Sequence, residues 1–233
     1  PERTSSGRAL QDIRGAYPKI VGGVDAESTR VARLVYGELS SNDVQVVADA
    51  TTAEAVKLFE GLYRDVNIAL ANELATLEGE LGVDVRAAIE AANTQPFCDI
   101  HDPGPGVGGH CIPYYPYFVT TQVSRTTPLL QTARYVNDSM PAYTVERLAE
   151  ELRATRTRLA DATVLVLGIT YRPGVAEMRA TPAGPIIDAL RDREADVVAA
   201  DPMLRDEEIA AFGATPATVE RLAEYRPDAV VLV

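Results

Sequence analysis

Apolar residues fall into short runs and helical stripes in an order that alternates along the chain. Lys19-Ile20-Val21, stopped by Gly22-Gly23, predicts a strand, and Val44 to Ala48 predicts a second. Between them Val31, Leu34, Val35 and Leu39 recur at helical spacing, so Asp25 to Ser40 reads as a helix with Ser28 as its cap. Residues before Lys19 are turn-rich, with Pro1, Gly7, Gly15 and Pro18. Strand, helix and strand in this order is the rhythm of a parallel α/β sheet, here the tail end of one.

From Thr51 the period lengthens into a helix running to about Leu81, with Thr51 or Thr52 as N-cap and Gly82 as the stop. Its apolar positions, among them Val56, Phe59, Leu62, Leu70 and Leu77, wrap most of the cylinder. Such a helix is expected to be buried on more than one side, in a domain core or a dimer seam. A shorter helix, Asp84 to Ala92, follows. Pro103 to Pro113 is too dense in glycine and proline for regular structure, and a helical stretch from Leu129 to Thr157 leads out of it.

The last third returns to α/β. Strand Thr163 to Leu167, a loop from Gly168 to Arg179, helix Pro182 to Arg191, strand Val197 to Ala200, helix Asp206 to Phe212 and a terminal strand Ala229 to Val233, read as buried, are expected in that order. Two α/β pieces thus flank a helical middle, with no internal repeat. The chain opens on Pro1 rather than Met, without a charged-then-apolar leader, and closes on a strand, so both ends look cut and a longer parent protein is expected.

Composition narrows the class. The 233 residues, 46% hydrophobic and 24% charged, fit a globular protein of one or two domains. No apolar run is long enough to span a membrane. A net charge of -12 argues against nucleic acid or an anionic membrane as partner. Lys19 and Lys57 are the only lysines, every other basic side chain being Arg or His. That bias fits a proteome adapted to high salt, and genomic base composition produces the same pattern. Two cysteines, Cys98 and Cys111, are too few for a disulfide scaffold, which favours a reducing cytoplasm and leaves a lone bridge open.

Several residues could carry chemistry. Cys111 follows a glycine-rich loop whose backbone N–H groups can approach an oxyanion or phosphate, although a small buried thiol in a tight turn reads equally well. Lys57 offers a compact ammonium on the long helix, or merely a solvated face. Cys98, His101, His110 and Cys111 supply zinc-ligand types, but the adjacent His-Cys pair fits a tetrahedral site poorly, and no metal is expected. Arg172 and Arg179 lie in or beside the loop after strand Thr163 to Leu167, at the carboxyl edge where such sheets bind ligands. The glycines there do not form a dinucleotide fingerprint.

Taken together these segments resemble the UDP-glucose/GDP-mannose dehydrogenase family over nearly the whole chain. The resemblance rests on Pro1-Glu2-Arg3 with Pro18 to Gly23, on Lys57-Leu58-Phe59 leading to Arg64-Asp65-Val66-Asn67-Ile68-Ala69-Leu70-Ala71-Asn72-Glu73, on Pro103 to Cys111, and on Gly168 to Pro173 with Arg179 and Pro182. The second and third blocks are closer to the branch acting on UDP-N-acetylmannosamine or UDP-N-acetylglucosamine. The resemblance implies the end of an N-terminal Rossmann domain for NAD over residues 1–50. It implies a helical central domain that dimerises through its long helix over 51–158, and an incomplete Rossmann-like UDP-binding domain over 159–233. It further implies a cytoplasmic enzyme of polysaccharide biosynthesis, with UDP-sugar as substrate and NAD as cofactor.

In that family the cysteine at the position of Cys111 is the nucleophile of a four-electron oxidation through a thioester. The resemblance gives Lys57 the developing oxyanion and Glu2 the hydrolytic water. Arg64, Asn67, Gly106, Gly108, Gly109, His110 and Arg172 fall at substrate-binding positions, and Arg179 at a cofactor position. Three departures stand out: Tyr115 where the family commonly has Asp, Gly61 where it has Asn, and Phe97 where an arginine often reaches a neighbouring subunit's substrate. They put proton management, an oxyanion ligand and a sugar contact in question, with a changed substrate, slower hydrolysis or a silent binder as the rival readings.

Overall fold

The structure, a computed structural model, describes residues 1–5 and 7–233, and divides into two units, Pro1–Tyr63 and Arg64–Val233. The first unit holds a two-stranded parallel sheet, β1 (Lys19–Val21) and β2 (Val44–Val46), in the register Lys19 to Val44 and Val21 to Val46. The turn-rich start also contains a short helix α1 (Ala9–Gln11) running into a π-helical turn, Asp12–Ala16, which the glycine and proline pattern concealed. Between the strands lies α2 (Ala26–Leu39). Its N-cap is Asp25, not Ser28: the Asp25 carboxylate accepts from the Ser28 N–H while the Ser28 hydroxyl sits three residues in and completes a capping box.

The long helix α3 spans Ala50–Thr76 and crosses the boundary between the units. It starts before the two threonines because Asp49 caps it, accepting from the Thr52 N–H at 2.7 Å. It stops short of Leu81: a separate turn α4 (Glu78–Leu81) follows, and Gly82, left-handed at φ 64°, ends that turn. Small residues face inward along α3, with Ala53, Leu62, Ala69 and Ala71 buried, whereas Phe59 is 62% and Leu70 49% exposed. Within the described residues α3 is thus buried along part of its circumference, and the exposed apolar side chains are those that the dimer-seam alternative would cover.

In the second unit α5 (Val85–Ala92), capped by Asp84, packs Val85 and Ile89 against Ala71. Residues 98–114 carry no helix or strand. A short helix unmarked by its apolar pattern, α6 (Tyr115–Thr120), precedes α7 (Pro128–Ala154). The carboxyl half of the unit is a parallel four-stranded sheet in the order β5-β4-β3-β6, built from β3 (Thr163–Leu167), β4 (Asp196–Ala200), the short β5 (Thr215–Pro216) and β6 (Ala229–Leu232). Helices α8 (Ala183–Arg191) and α9 (Asp206–Ala210) connect these strands, and a short α10 (Leu222–Tyr225) precedes β6.

The largest core lies on one face of this sheet. There Val164, Val166, Ile186, Ile187 and Leu190 meet Val145 and Leu152 of α7, so the second half of α7 shares the core of the sheet. The opposite face packs Leu165 and Val198 against Leu222 and Tyr225. β6 is not the buried strand that its run of valines suggested. Among the described residues it pairs with β3 alone, and Val231 is buried while Val230 and Leu232 are exposed.

Asp201, directly after β4, pins the loop that leaves β3. Its Oδ2 accepts from the N–H groups of Ile169 and Thr170, both at 2.8 Å, and from the Thr170 hydroxyl at 3.0 Å, while Oδ1 accepts from the Met203 N–H at 2.8 Å. Burial works to raise this carboxyl, but the backbone donors of Thr170, Ile169 and Met203 outweigh it and hold it below the usual value. A depressed folded-state value stabilises above the unfolded value of about 3.9 and is lost as pH falls through the folded one. Asp201→Asn should therefore cost about 2 kcal/mol at neutral pH, with the gap to the unsubstituted chain closing below about pH 4, as read by urea denaturation across that range.

Candidate active site

The loop carrying Cys111 is held from two sides. On one side the stretch of α3 beyond residue 64 reaches it by side-chain amides. Asn67 Nδ2 donates to the Asp99 carbonyl at 2.6 Å, and its Oδ1 accepts from the His101 N–H at 2.9 Å. Asn72 Oδ1 accepts from the Gly104 N–H at 2.9 Å, and Arg86 of α5 donates to the Pro103 carbonyl at 3.1 Å. These four bonds satisfy backbone groups that no helix or strand serves.

Behind the amides lies a buried polar cluster. Asn72 Nδ2 donates to Asn137 Oδ1 at 2.9 Å, and Asn137 Nδ2 donates to Asp65 Oδ1 at 2.9 Å. Arg134 pairs with the same Asp65 oxygen and with Asp138. Asp65 Oδ2 and Arg134 Nε are buried without a hydrogen-bond partner. Burial pushes the Asp65 carboxyl up against the pull of Arg134 and Asn137, while Arg134, desolvated but flanked by Asp65 and Asp138, is held above its usual value. Asp65 and Asn72 stand seven residues apart, on one face of a helix, and Arg134 and Asn137 three apart on another, spacings visible in the sequence as polar residues inside apolar stripes.

On the other side the glycines touch the loop between β3 and α8. A Cβ on Gly108 would lie 2.5 Å from Tyr171 Cβ, and one on Gly109 2.9 Å from Tyr171 Cε2. Gly109 also has φ +92° and donates its N–H to the Arg179 carbonyl at 2.8 Å. A Cβ on Gly106 would come within 3.0 Å of Pro182 Cβ. The glycines that suggested a ligand cradle thus let two loops of the same chain close on each other.

Cys111 emerges half-buried just beyond this contact, as a free thiol. His110 beside it is exposed. Arg172 is half-buried and Arg179 exposed, and neither guanidinium bonds to another group among the described residues. Arg64, on α3, is exposed. Cys98 is also free and donates weakly to Asn93 Oδ1 at 3.4 Å, so the two cysteines are not bridged. Among the described residues no three His, Cys, Asp or Glu side chains are grouped to hold a metal ion, Cys98, His101, His110 and Cys111 included. No helix among them is long and apolar enough to cross a membrane.

In the first unit Glu2 and Lys57 come together, with Lys19 as an unforeseen third member. Lys57 Nζ donates to the Glu2 carbonyl. Glu2 Oε1 accepts from Lys19 Nζ at 3.1 Å, from the Arg3 N–H at 2.8 Å and from the Thr4 N–H at 3.1 Å. Burial works to raise the Glu2 carboxyl, but the bond from Lys19, the Arg3 N–H and the Lys19 charge hold it below the ordinary value, so it is an anion at neutral pH. Arg3 braces the segment through Glu60 at 2.5 Å and lies over the Tyr17 ring, 5.0 Å from its centre.

Gly22 and Gly23 test whether this unit presents a dinucleotide cradle. A Cβ at Gly22 would meet the Asp49 carbonyl oxygen at 2.1 Å, and one at Gly23 would meet Ser28 Oγ at 2.4 Å and the Thr29 nitrogen at 2.5 Å. The chain itself packs against both glycines, so these two positions serve internal packing and form no open cradle for a pyrophosphate.

Two family models match. Residues 51–139 match the central domain, and residues 165–233 the UDP binding domain, of the UDP-glucose/GDP-mannose dehydrogenase family, together the greater part of the chain. The chain is 39% identical over 206 residues to a UDP-N-acetyl-D-mannosamine dehydrogenase of Pyrococcus horikoshii and to one of Methanocaldococcus jannaschii. Each match covers 88% of this chain and 49% or 46% of the relative, so the chain spans about half their length. The solved structure of a UDP-D-ManNAc dehydrogenase from Pyrococcus horikoshii superposes with a TM-score of 0.90 at 37% identity, covering 100% of this chain and 53% of that one.

Gly108→Ala should destabilise the chain by about 1–3 kcal/mol through overpacking against Tyr171. Asn72→Ala should cost a similar amount, about 1–3 kcal/mol, by leaving the Gly104 N–H and Asn137 unpaired. Gly104→Ala is the control, because a Cβ there meets nothing within 4 Å. Urea denaturation of the three variants against the unsubstituted chain checks the order.

Proposed function

The chain belongs to the UDP-glucose/GDP-mannose dehydrogenase family, and from that premise we propose that the whole protein oxidises the 6-hydroxyl of a UDP-N-acetylhexosamine to the uronic acid through a thioester on Cys111. UDP-N-acetylmannosamine is the leading substrate, since the relatives carrying that name match both in sequence and in fold. The observation that carries the reading is the half-exposed thiol of Cys111, set on a loop clamped against the ligand-binding edge of the carboxyl-terminal sheet.

NAD would accept a hydride at each of the two oxidations, held mainly by parts of the whole protein beyond this chain, with Arg179 on its side of the site. What this chain supplies is the covalent and electrostatic part. The Cys111 thiolate adds to the aldehyde carbon, forming a C–S bond. After the second oxidation, water attacks the thioester carbon, the C–S bond breaks, and the electron pair returns to sulfur. Lys57 is assigned to the oxyanion of each tetrahedral species, as a cation whose position the Glu2 carbonyl sets. Glu2, ionised, is assigned to the proton of the attacking water.

Arg172 is assigned to the substrate's diphosphate, since its guanidinium is uncommitted at the carboxyl end of β3. Arg64 and the His110 loop take the sugar, and Arg179 the cofactor side. Asn67 spends its amide on the backbone of Asp99 and His101, which supports a role in shaping the sugar site through the loop. A second copy of the chain covering the exposed apolar residues of α3 belongs to the same reading, as does a cytoplasmic setting.

The full-length protein should form two equivalents of NADH per limiting UDP-N-acetylmannosamine and release a uronic acid, followed by absorbance and mass spectrometry. Cys111→Ser should abolish acid formation with substrate binding nearly intact, and Lys57→Ala should slow the reaction without changing the product. Undiminished turnover in Cys111→Ser ends the thioester assignment. Binding without any turnover in the unsubstituted protein favours a silent homologue, and a preference for UDP-glucose in a substrate panel reassigns the sugar.

A further inference from the structure

We infer that Tyr115 is the hydrogen-bond partner of the Cys111 sulfur, a neutral donor that steadies and orients the thiolate. This rests on Cys111 being the nucleophile of the proposed function. The geometry begins in the backbone: the Cys111 carbonyl accepts from the Tyr114 N–H at 3.0 Å and from the Tyr115 N–H at 2.9 Å, closing one helical turn. Residues four apart across such a turn share a face, so the two side chains meet. α6 begins at Tyr115 itself, with Pro116 buried behind it, and the Phe118 ring lies tilted 6.2 Å from that of Tyr115. The ring is therefore held rather than free to swing into solvent.

Electrostatics tell which way the proton points. Burial, a hydrogen bond to the Cys111 side chain and the charge of that thiol group all push the Tyr115 phenol well above its ordinary value. The hydroxyl thus keeps its proton around neutral pH, where it can donate but not act as a base. An ionised carboxylate in the same place would do the reverse, repelling the thiolate and accepting the thiol proton. Donation to a charged sulfur stabilises the thiolate relative to the thiol, with no proton transferred. The other titratable and charged groups nearby are exposed His110 and Tyr114 on the same loop, and Tyr171 and Arg179 from the loop packed on Gly109.

The test uses the chain itself and needs no NAD. Rates of Cys111 alkylation by iodoacetamide are followed against pH by mass spectrometry of the modified peptide, with Cys98 as internal reference. Tyr115→Phe should raise the midpoint for Cys111 by on the order of one pH unit, since a bond to a charged group is lost, and leave the Cys98 profile unchanged. Tyr115→Asp should raise it further. An unmoved midpoint in the Phe variant overturns the inference.

A second measurement leaves Tyr115 in place. The phenol of Tyr115, followed by 13Cζ-tyrosine NMR, should titrate at lower pH in Cys111→Ala than in the unsubstituted chain, and equal titration in the two also overturns the inference. Failure of the full-length protein to make NADH would sink the dehydrogenase reading while leaving these shifts intact, so the two ideas fail separately.

Discussion

Two loops of the second unit approach each other more closely than any β-carbon between them would permit, and the placement of Cys111 follows from that contact. Gly108 and Gly109 lie against Tyr171 at distances that exclude every other residue type without a shift of the chain. The contact is anchored at both ends. Asp201 fixes the loop leaving β3 by accepting four donors, and Asn67 and Asn72 fix the segment before the glycines. A thiol on irregular backbone is thereby held by elements that are themselves regular, a strand end on one side and a helix face on the other.

The polar cluster behind Asn72 shows what such anchoring requires. An aspartate and an arginine buried between helices are a weak source of stability, because desolvation offsets most of their attraction. Here they orient two asparagines, one of which reaches the Gly104 N–H. Directional hydrogen bonds fix one register of α3 against α7, whereas apolar packing of the alanines along α3 would tolerate sliding. The cluster thus reads as a device for precision more than for stability.

Most elements were legible from periodicity. The strand Thr163–Leu167 and the span of α5 follow directly from apolar spacing, and the Gly/Pro density of residues 103–113 marked the irregular loop. The failures have local causes. Asp25 and Asp49 stand just before the first helical residue of α2 and α3 and accept from the first turn, whereas Ser28, Thr51 and Thr52 already lie inside it. α6 went unmarked because it is short and follows directly on the Gly/Pro-dense segment ending at Pro113, and its own Pro116 sits in the first helical turn, where proline is at home.

Among the candidate residues, Cys111 and Lys57 were visible as residue types, whereas Glu2 entered only through the family resemblance. The partners of Glu2 and the clamp on Cys111 were not, because they join positions far apart in the chain. Asn72 lay within the matched motif, but that its amide serves Gly104 is a fact of folding rather than of spacing.

The cluster around Glu2 has a consequence for labelling chemistry. The chain holds only two lysines, and both are spent there: Lys19 is buried against the Glu2 carboxylate, and Lys57 is bonded to its carbonyl. Every other permanent cation among its side chains is a guanidinium, which amine-directed reagents ignore. Within residues 1–233, acylation or reductive methylation of side-chain amines is therefore confined to this cluster. Any amine that reacts reports the state of one carboxylate and its two attendants.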